Sequence, residues 1–383
     1  MNLNLTRDEA SCLKGYAILC IVLHNLLHWV KPLVKENEFY YNYNYRSYWM
    51  WNHITEGHPN LIGDILSFFG WYGVPVFIFL SGYGITKKYE SARRTTAECS
   101  WAGFTGYNFK KLWLLMAPAF VVYLLLSIFV FDKSFAFSTL LAQFTMTINF
   151  MCSPNSIDPG VYWYFGLTMQ LYLAYRLFLF RKAGGMFWWT CLLLMVLSLG
   201  ISWLLQPDPM ERVQPSYEYF SHNGIRWIPV FVLGVMTARA GKDRKDTLWP
   251  WICVGAVSAI LLFAGSFHQR LWLLTPIFAV GVFWSFVKLV SQVRVLRAVG
   301  IWLGGLSAWL FAAHPLVRPF FKDRILLYGQ LELDAHSWMW VACYLLVAIA
   351  VAWGYRWFSS QYLVSFCERI INRCLKSVSF KKK

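Results

Sequence analysis

Apolar runs long enough to cross a bilayer recur along the whole chain, and they restrict it to one kind of architecture. They fall at 11–30, 64–86, 110–131, 161–180, 187–205, 226–240, 249–266, 270–288, 298–316 and 338–358. Most approach the ~20 residues a helix needs to span ~30 Å of hydrocarbon. The 226–240 run is short and must draw on its flanks. In lipid the backbone has to satisfy its own hydrogen bonds, and these runs lack strict polar–apolar alternation, so helices follow rather than barrel strands. A hydrophobic fraction of 58% lies outside the soluble range. The Trp and Tyr residues gather near the run ends, as interfacial belts require. The expected fold class is therefore all-α: a polytopic membrane protein of about ten transmembrane helices, forming a single domain over 1–383.

Basic residues orient the chain. With the N-terminus inside and ten crossings, inner segments hold 24 of the 35 Lys and Arg residues. Among these are the pairs Lys87/Lys88, Arg93/Arg94 and Lys110/Lys111, then Lys242, Arg244, Lys245 and the tail ending in Lys381–Lys383. Ten remain outside, including Arg46, Arg212, Arg226 and Arg318. This bias puts both termini in the cytoplasm. A further apolar run, 135–151, must then re-enter or lie on the surface, because a crossing there would invert every later loop. The net charge of +16 is mostly this inner bias, and no folded basic domain favours nucleic acid. Nine Cys without CxxC pairs give neither a disulfide framework nor a zinc site. The first run is too long for a cleavable signal and no A-x-A-like site follows it.

That first run, Leu13 to Val30, carries Lys14, His24 and His28 within its apolar sequence. Ionisable side chains in a span are costly and persist mainly where they face a cavity and act. His24 and His28 are four apart and share a helix face. A buried imidazole is pushed toward neutrality, leaving a nitrogen free to accept a proton from a hydroxyl, as a general base for acyl transfer must. An interhelical hydrogen-bonding pair is the plainer alternative. A metal pair lacks a third ligand in any neighbouring span. Lys14 lies ten residues earlier, ~15 Å along the axis. It either snorkels to the inner surface or pairs with an incoming phosphate. The stretch Phe68 to Ile85 contains Gly73, Pro75, Ser81, Gly82 and Gly84, and Gly300 and Gly304 form a GxxxG; both suit close helix packing. The loop 31–63 is rich in aromatics and includes His53 and His58. Sugar stacking and a membrane-surface belt explain it equally.

The segments LKGYAILCIVLHN, GVPVFIFLSGYGI, NFKKLWLLMAP, WYFGLTMQLYLAY, IRWIPVFVLGV and LGGLSAWLFAAHPLV stand in an order that resembles the integral-membrane acyltransferase 3 family. The resemblance covers nearly the whole chain. It implies a ten-helix fold, a cytoplasmic acyl-CoA donor, most often acetyl-CoA, and a surface-polysaccharide acceptor on the far side. The family's first-span basic residue and histidine map to Lys14 and His24. Its aromatic opening the fifth span maps to Trp163, the basic residue opening the seventh to Arg226, and the late histidine to His314. Two positions depart from the family pattern. The usual spacing is eleven residues, but here position 25 is Asn and His24 comes one earlier. On a regular helix eleven residues return to within ~20° of the starting face, ten leave it ~80° away, and His28, fourteen on, returns to within ~40°. Gln170 stands where the family commonly has a carboxylate.

The expected chemistry is transfer of an acyl group from acyl-CoA to a sugar hydroxyl of a polysaccharide or its lipid-linked precursor, in a bacterial inner membrane. Catalysis would rest on His24, with Lys14 and His28. Asn25 would stabilise the oxyanion, and Lys87, Lys88, Lys110 and Lys111 would hold CoA phosphates. Trp163, Gln170, Arg226 and His314 would line the acceptor side. No permanent cofactor or metal is expected, and the partners are lipid, acyl-CoA and the saccharide. A flippase for a lipid-linked saccharide is the competing class, distinguished by its indifference to acyl-CoA. Acyl chain, acceptor sugar and oligomeric state have no sequence signature here.

Overall fold

The computed structural model describes residues 2–90, 98–151, 156–210, 215–241, 246–327 and 330–363. The Arg93/Arg94 pair, Arg212, Lys242, Arg244, Lys245 and the basic tail fall outside the described residues. Among the described residues every regular element is helical. In chain order the α-helices are α1 (Arg7–Leu27), α2 (Tyr48–Glu56), α3 (Leu61–Phe69), α4 (Gly73–Tyr89), α5 (Trp101–Phe129), α6 (Phe137–Phe144), α7 (Ile148–Met151) and α8 (Trp163–Ala174). They continue as α9 (Gly184–Leu204), α10 (Pro215–Ser221), α11 (Gly224–Ala240), α12 (Leu248–Ser266), α13 (Gln269–Trp272), α14 (Thr275–Val290), α15 (Arg294–Phe321) and α16 (Ala335–Phe358).

All ten expected runs carry helix, and among the described residues seven stretches are long and apolar enough to cross a membrane. These are α1, Leu61–Tyr89, α5, α9, α12, Arg294–Arg324 and Ala335–Gln361. The other three runs hold shorter helices for local reasons. α8 widens into a π turn at Tyr175–Leu179, α11 runs only from Gly224 to Ala240 between its Asn223 and Gly241 caps, and α14 begins after the separate turn α13. The 135–151 run breaks into α6 and α7 around Met146, whose φ of 58° no helix continues, so neither piece is long enough to span. Large apolar side chains such as Phe129, Trp189, Ile260 and Leu346 are exposed on the outer helices. Apolar exposure on this scale suits lipid rather than water.

Local signals start α1 and glycines place it. Thr6 and Glu9 form a capping box, each side chain bonded to the other's backbone N–H at 3.2 and 2.9 Å. α1 then packs backbone to backbone on α15. A Cβ on Gly304 would lie 1.9 Å from the Ser11 carbonyl oxygen, and one on Gly15 2.2 Å from the Gly300 oxygen. The GxxxG thus serves close approach. α4 and α11 repeat the device, since Cβ atoms on Gly82 and Gly234 would meet the Phe231 and Phe79 carbonyl oxygens at 2.2 and 2.1 Å. Gly84 faces open space and has no packing role.

Candidate active site

The imidazole of His24 is buried where α1 meets the start of the second hydrophobic stretch. Its Nδ1 lies 2.7 Å from the carbonyl oxygen of Ser67 in α3. A carbonyl can only accept, so Nδ1 carries the proton and the neutral ring presents a lone pair at Nε2. Nε2 makes no hydrogen bond among the described residues. The single turn Gly70–Tyr72 fixes this geometry, because a Cβ on Gly70 would come within 2.7 Å of the His24 Cβ.

His28 lies one turn further, the two ring centroids being 5.3 Å apart. Its Nδ1 is 3.1 Å from Glu36 Oε2. Glu36 is 5% exposed and returns to α1 from the connecting segment. Burial pushes its carboxyl up, but the nearby His28, His24 and Arg46 outweigh burial and hold it below the usual carboxylate range. Arg46 is tied to the same segment, bonding the Glu36 carbonyl at 2.5 Å and the Tyr40 hydroxyl at 2.7 Å. Nothing in the sequence pattern marked Glu36 as a partner. It is one acidic residue between Lys35 and Asn37 in an irregular segment.

Four residues carry this segment to a second cluster. Arg226, at the start of α11, donates from Nη1 to the Phe39 carbonyl at 2.8 Å and lies over the Trp272 ring at 4.0 Å. His222 stacks on Phe39 at 3.9 Å, and Trp163 meets both rings edge-on at 5.6 and 5.4 Å. Burial pushes the His222 imidazole down to about 4, although its Nδ1 donates to the Glu218 carbonyl. Gln170 is spent on scaffolding here. Its Nε2 donates to Asn223 and its oxygen accepts the Gly224 N–H at 2.8 and 2.7 Å, fastening the helix start that presents Arg226. A carboxylate could not make both bonds.

His314 is fully buried in α15, its Nδ1 3.0 Å from the Leu310 carbonyl and its Nε2 unpartnered. Pro315 has no N–H for the Phe311 carbonyl, and the His314 ring also reaches that oxygen. Arg318 interacts electrostatically with both His24 and His314, which links the two. Asn25 donates to the Ile21 carbonyl of its own helix at 2.9 Å. Ser81 neighbours the hydroxyls of Tyr164 and Tyr172.

Lys14 faces elsewhere than His24. α1 is regular between them, so the ten-residue spacing leaves their directions ~80° apart. Lys14 interacts with Lys111 of α5, whereas His24 meets α3. Lys88 sits 3.4 Å from the Tyr107 ring centroid, one turn before Lys111, and Lys87 donates to Asn4 at 3.2 Å. Lys110 and Lys111 are exposed. Lys14, Lys87, Lys88 and Lys111 therefore gather at the end of the bundle where α1 begins.

Among the described residues two sets of side chains have the geometry to hold a metal ion: His24, His28 and Glu36, and His53, His58 and Asp64. In the second set Asp64 accepts from Val34 N–H at 2.8 Å and lies 2.7 Å from His53 Nδ1, while the two rings stack at 3.9 Å.

The sequence matches the acyltransferase domain of the acyltransferase 3 family over residues 8–357. The chain belongs to that family. The match begins and ends within one residue of the first and last long helices, and it contains every site residue described above. It makes the protein an acyltransferase of multi-pass membrane type and lends nothing to a flippase reading. No curated protein and no solved structure matches the chain.

Proposed function

We propose that this acyltransferase takes an acyl group, acetyl in the commonest case, from acyl-CoA on the cytoplasmic face. It passes the group to a sugar hydroxyl of a surface polysaccharide or its lipid-linked precursor. The observation that carries the reading is His24: its Nδ1–H is anchored on the Ser67 carbonyl, so Nε2 is the basic atom. The lysine group near the start of α1 suits CoA phosphates, which point charges can hold. It lies ~15 Å along α1 from His24, a gap for the pantetheine arm.

In the direct route His24 Nε2 takes the proton of the acceptor hydroxyl as that oxygen bonds the thioester carbon. The C–S bond breaks and the proton passes to the CoA sulfur. In the relayed route Nε2 bonds the acyl carbon first and CoA leaves as the thiolate; the acceptor oxygen then displaces the imidazole, whose freed Nε2 takes the hydroxyl proton and passes it to the thiolate. Both need the same lone pair. Asn25 has its amide on its own helix, which favours other donors for the oxyanion.

Purified protein given acetyl-CoA and the glycan of its own cell should form acetylated glycan, detected as a mass increase. His24→Ala should insert normally and lose ~10²–10⁴ in rate, the usual contribution of a general base. A variant within a few-fold of wild type would remove His24 from the chemistry.

A further inference from the structure

The surroundings of Arg226 contain hydrogen-bond donors without acceptors. Arg226 is 7% exposed, and only one terminal nitrogen is engaged, by Phe39 O and more distantly by Ser221 Oγ. Its Nη2 is buried with no partner. Beside it, the indole Nε1 of Trp272 is also buried and unpartnered, with that ring 4.0 Å from the guanidinium. The buried hydroxyl of Tyr217, which interacts electrostatically with Arg226, has Ser221 as a polar neighbour but no partner in hydrogen-bonding geometry. Two orphaned donors beside a guanidinium whose own Nη2 is unpaired are unusual, since a buried polar group without a partner costs about 1–3 kcal/mol, more when charged.

The charge balance has the same sign. Among the described residues no carboxylate is within salt-bridge distance of Arg226. Glu38 is the acid that bears on it electrostatically. It is buried, but it makes no ion pair and no hydrogen bond with the guanidinium. A lone buried cation needs an anion from elsewhere.

We infer that Arg226, with Trp272 Nε1 and Tyr217 Oη, binds an anionic group of the acceptor, a phosphate or a carboxylate on the saccharide undergoing acylation. Arg226 presents a planar fork suited to either group. Phe39, Trp163 and His222 pack on one another beside it as an aromatic wall. The segment Glu36–Phe39, which spans at most about 10 Å, joins the His28–Glu36 pair to the carbonyl that Arg226 holds. This inference rests on the acceptor side assigned under the proposed function and narrows that acceptor to an acidic sugar or a sugar phosphate.

The test is calorimetric binding to the His24→Ala protein in a maltoside detergent, without acetyl-CoA. Octyl glucoside serves as the neutral probe, octyl glucuronide as the carboxylate and octyl glucosyl phosphate as the phosphate. One of the anionic probes should bind at least tenfold more tightly than the glucoside. Arg226→Gln should bring that ratio to within twofold of unity, and Arg226→Lys should restore part of it. The better anionic probe identifies the source of the charge. Equal binding of all three probes, or an anionic preference that survives in Arg226→Gln, overturns the inference. Should Arg226→Gln fail to fold, the ratio in the parent protein decides alone. Binding without any acyl transfer in the wild type would refute the proposed function and leave the anion site standing.

Discussion

The decisive contacts at His24 and His28 are made by groups that no residue pattern announces. His24 is anchored by a backbone carbonyl, which any residue at position 67 would supply. His28 is anchored by Glu36, which comes back from an irregular turn eight residues on. The pair His24 and His28 was legible because four-residue spacing places both on one helix face. Their partners were not, because a returning loop has no period. Glu36 also gives a signed prediction. Its charged form is favoured by the fold, so it stabilises the protein above the ordinary carboxyl value of about 4.3. That stability is lost as pH falls below this value toward the lower folded one. Thermal unfolding in detergent between pH 7 and pH 3.5 should therefore show a steeper acid loss for wild type than for Glu36→Gln. At pH 7 the variant should be less stable by about 1 kcal/mol, the difference between a charged and a neutral hydrogen bond. An identical acid slope would mean that Glu36 carries no charge in the fold.

Among the helices, glycines decide which surfaces touch. The GxxxG of α15 was readable as a packing signal, and the structure gives it a partner in Ser11 and Gly15 of α1. The same reading applied to the 68–85 stretch held for Gly73 and Gly82, which meet the Ala17 and Phe231 carbonyls, and failed for Gly84. Sequence alone did not distinguish them because all three sit in one apolar helix. Gly304→Ala must push α1 from α15 and should destabilise by about 1–3 kcal/mol. Gly84→Ala meets nothing within 4 Å and should stabilise by up to about 1 kcal/mol through helix propensity. Chemical unfolding of the two variants side by side checks both signs. Helix number was the least legible feature at this scale. α8, α11 and α14 carry the expected apolar character, but a π turn, a flanking Asn–Gly pair and a broken start shorten them.

Across the whole molecule, the histidines stand between a lysine group at one end and an aromatic, arginine-centred cluster at the other. Composition made the membrane class plain, since long apolar runs have few other uses. Which residues meet at depth depended on tertiary packing, as Gln170 illustrates by bracing the start of α11. The arrangement predicts a sided reaction. Protein reconstituted in vesicles with a single orientation should acetylate saccharide only when acetyl-CoA is on the face exposing Lys110 and Lys111 and the acceptor is on the opposite face. His24→Ala vesicles should give no product under the same conditions. Equal product with donor and acceptor on either face, or full product from the His24→Ala vesicles, would contradict a transfer carried through the bundle by that imidazole.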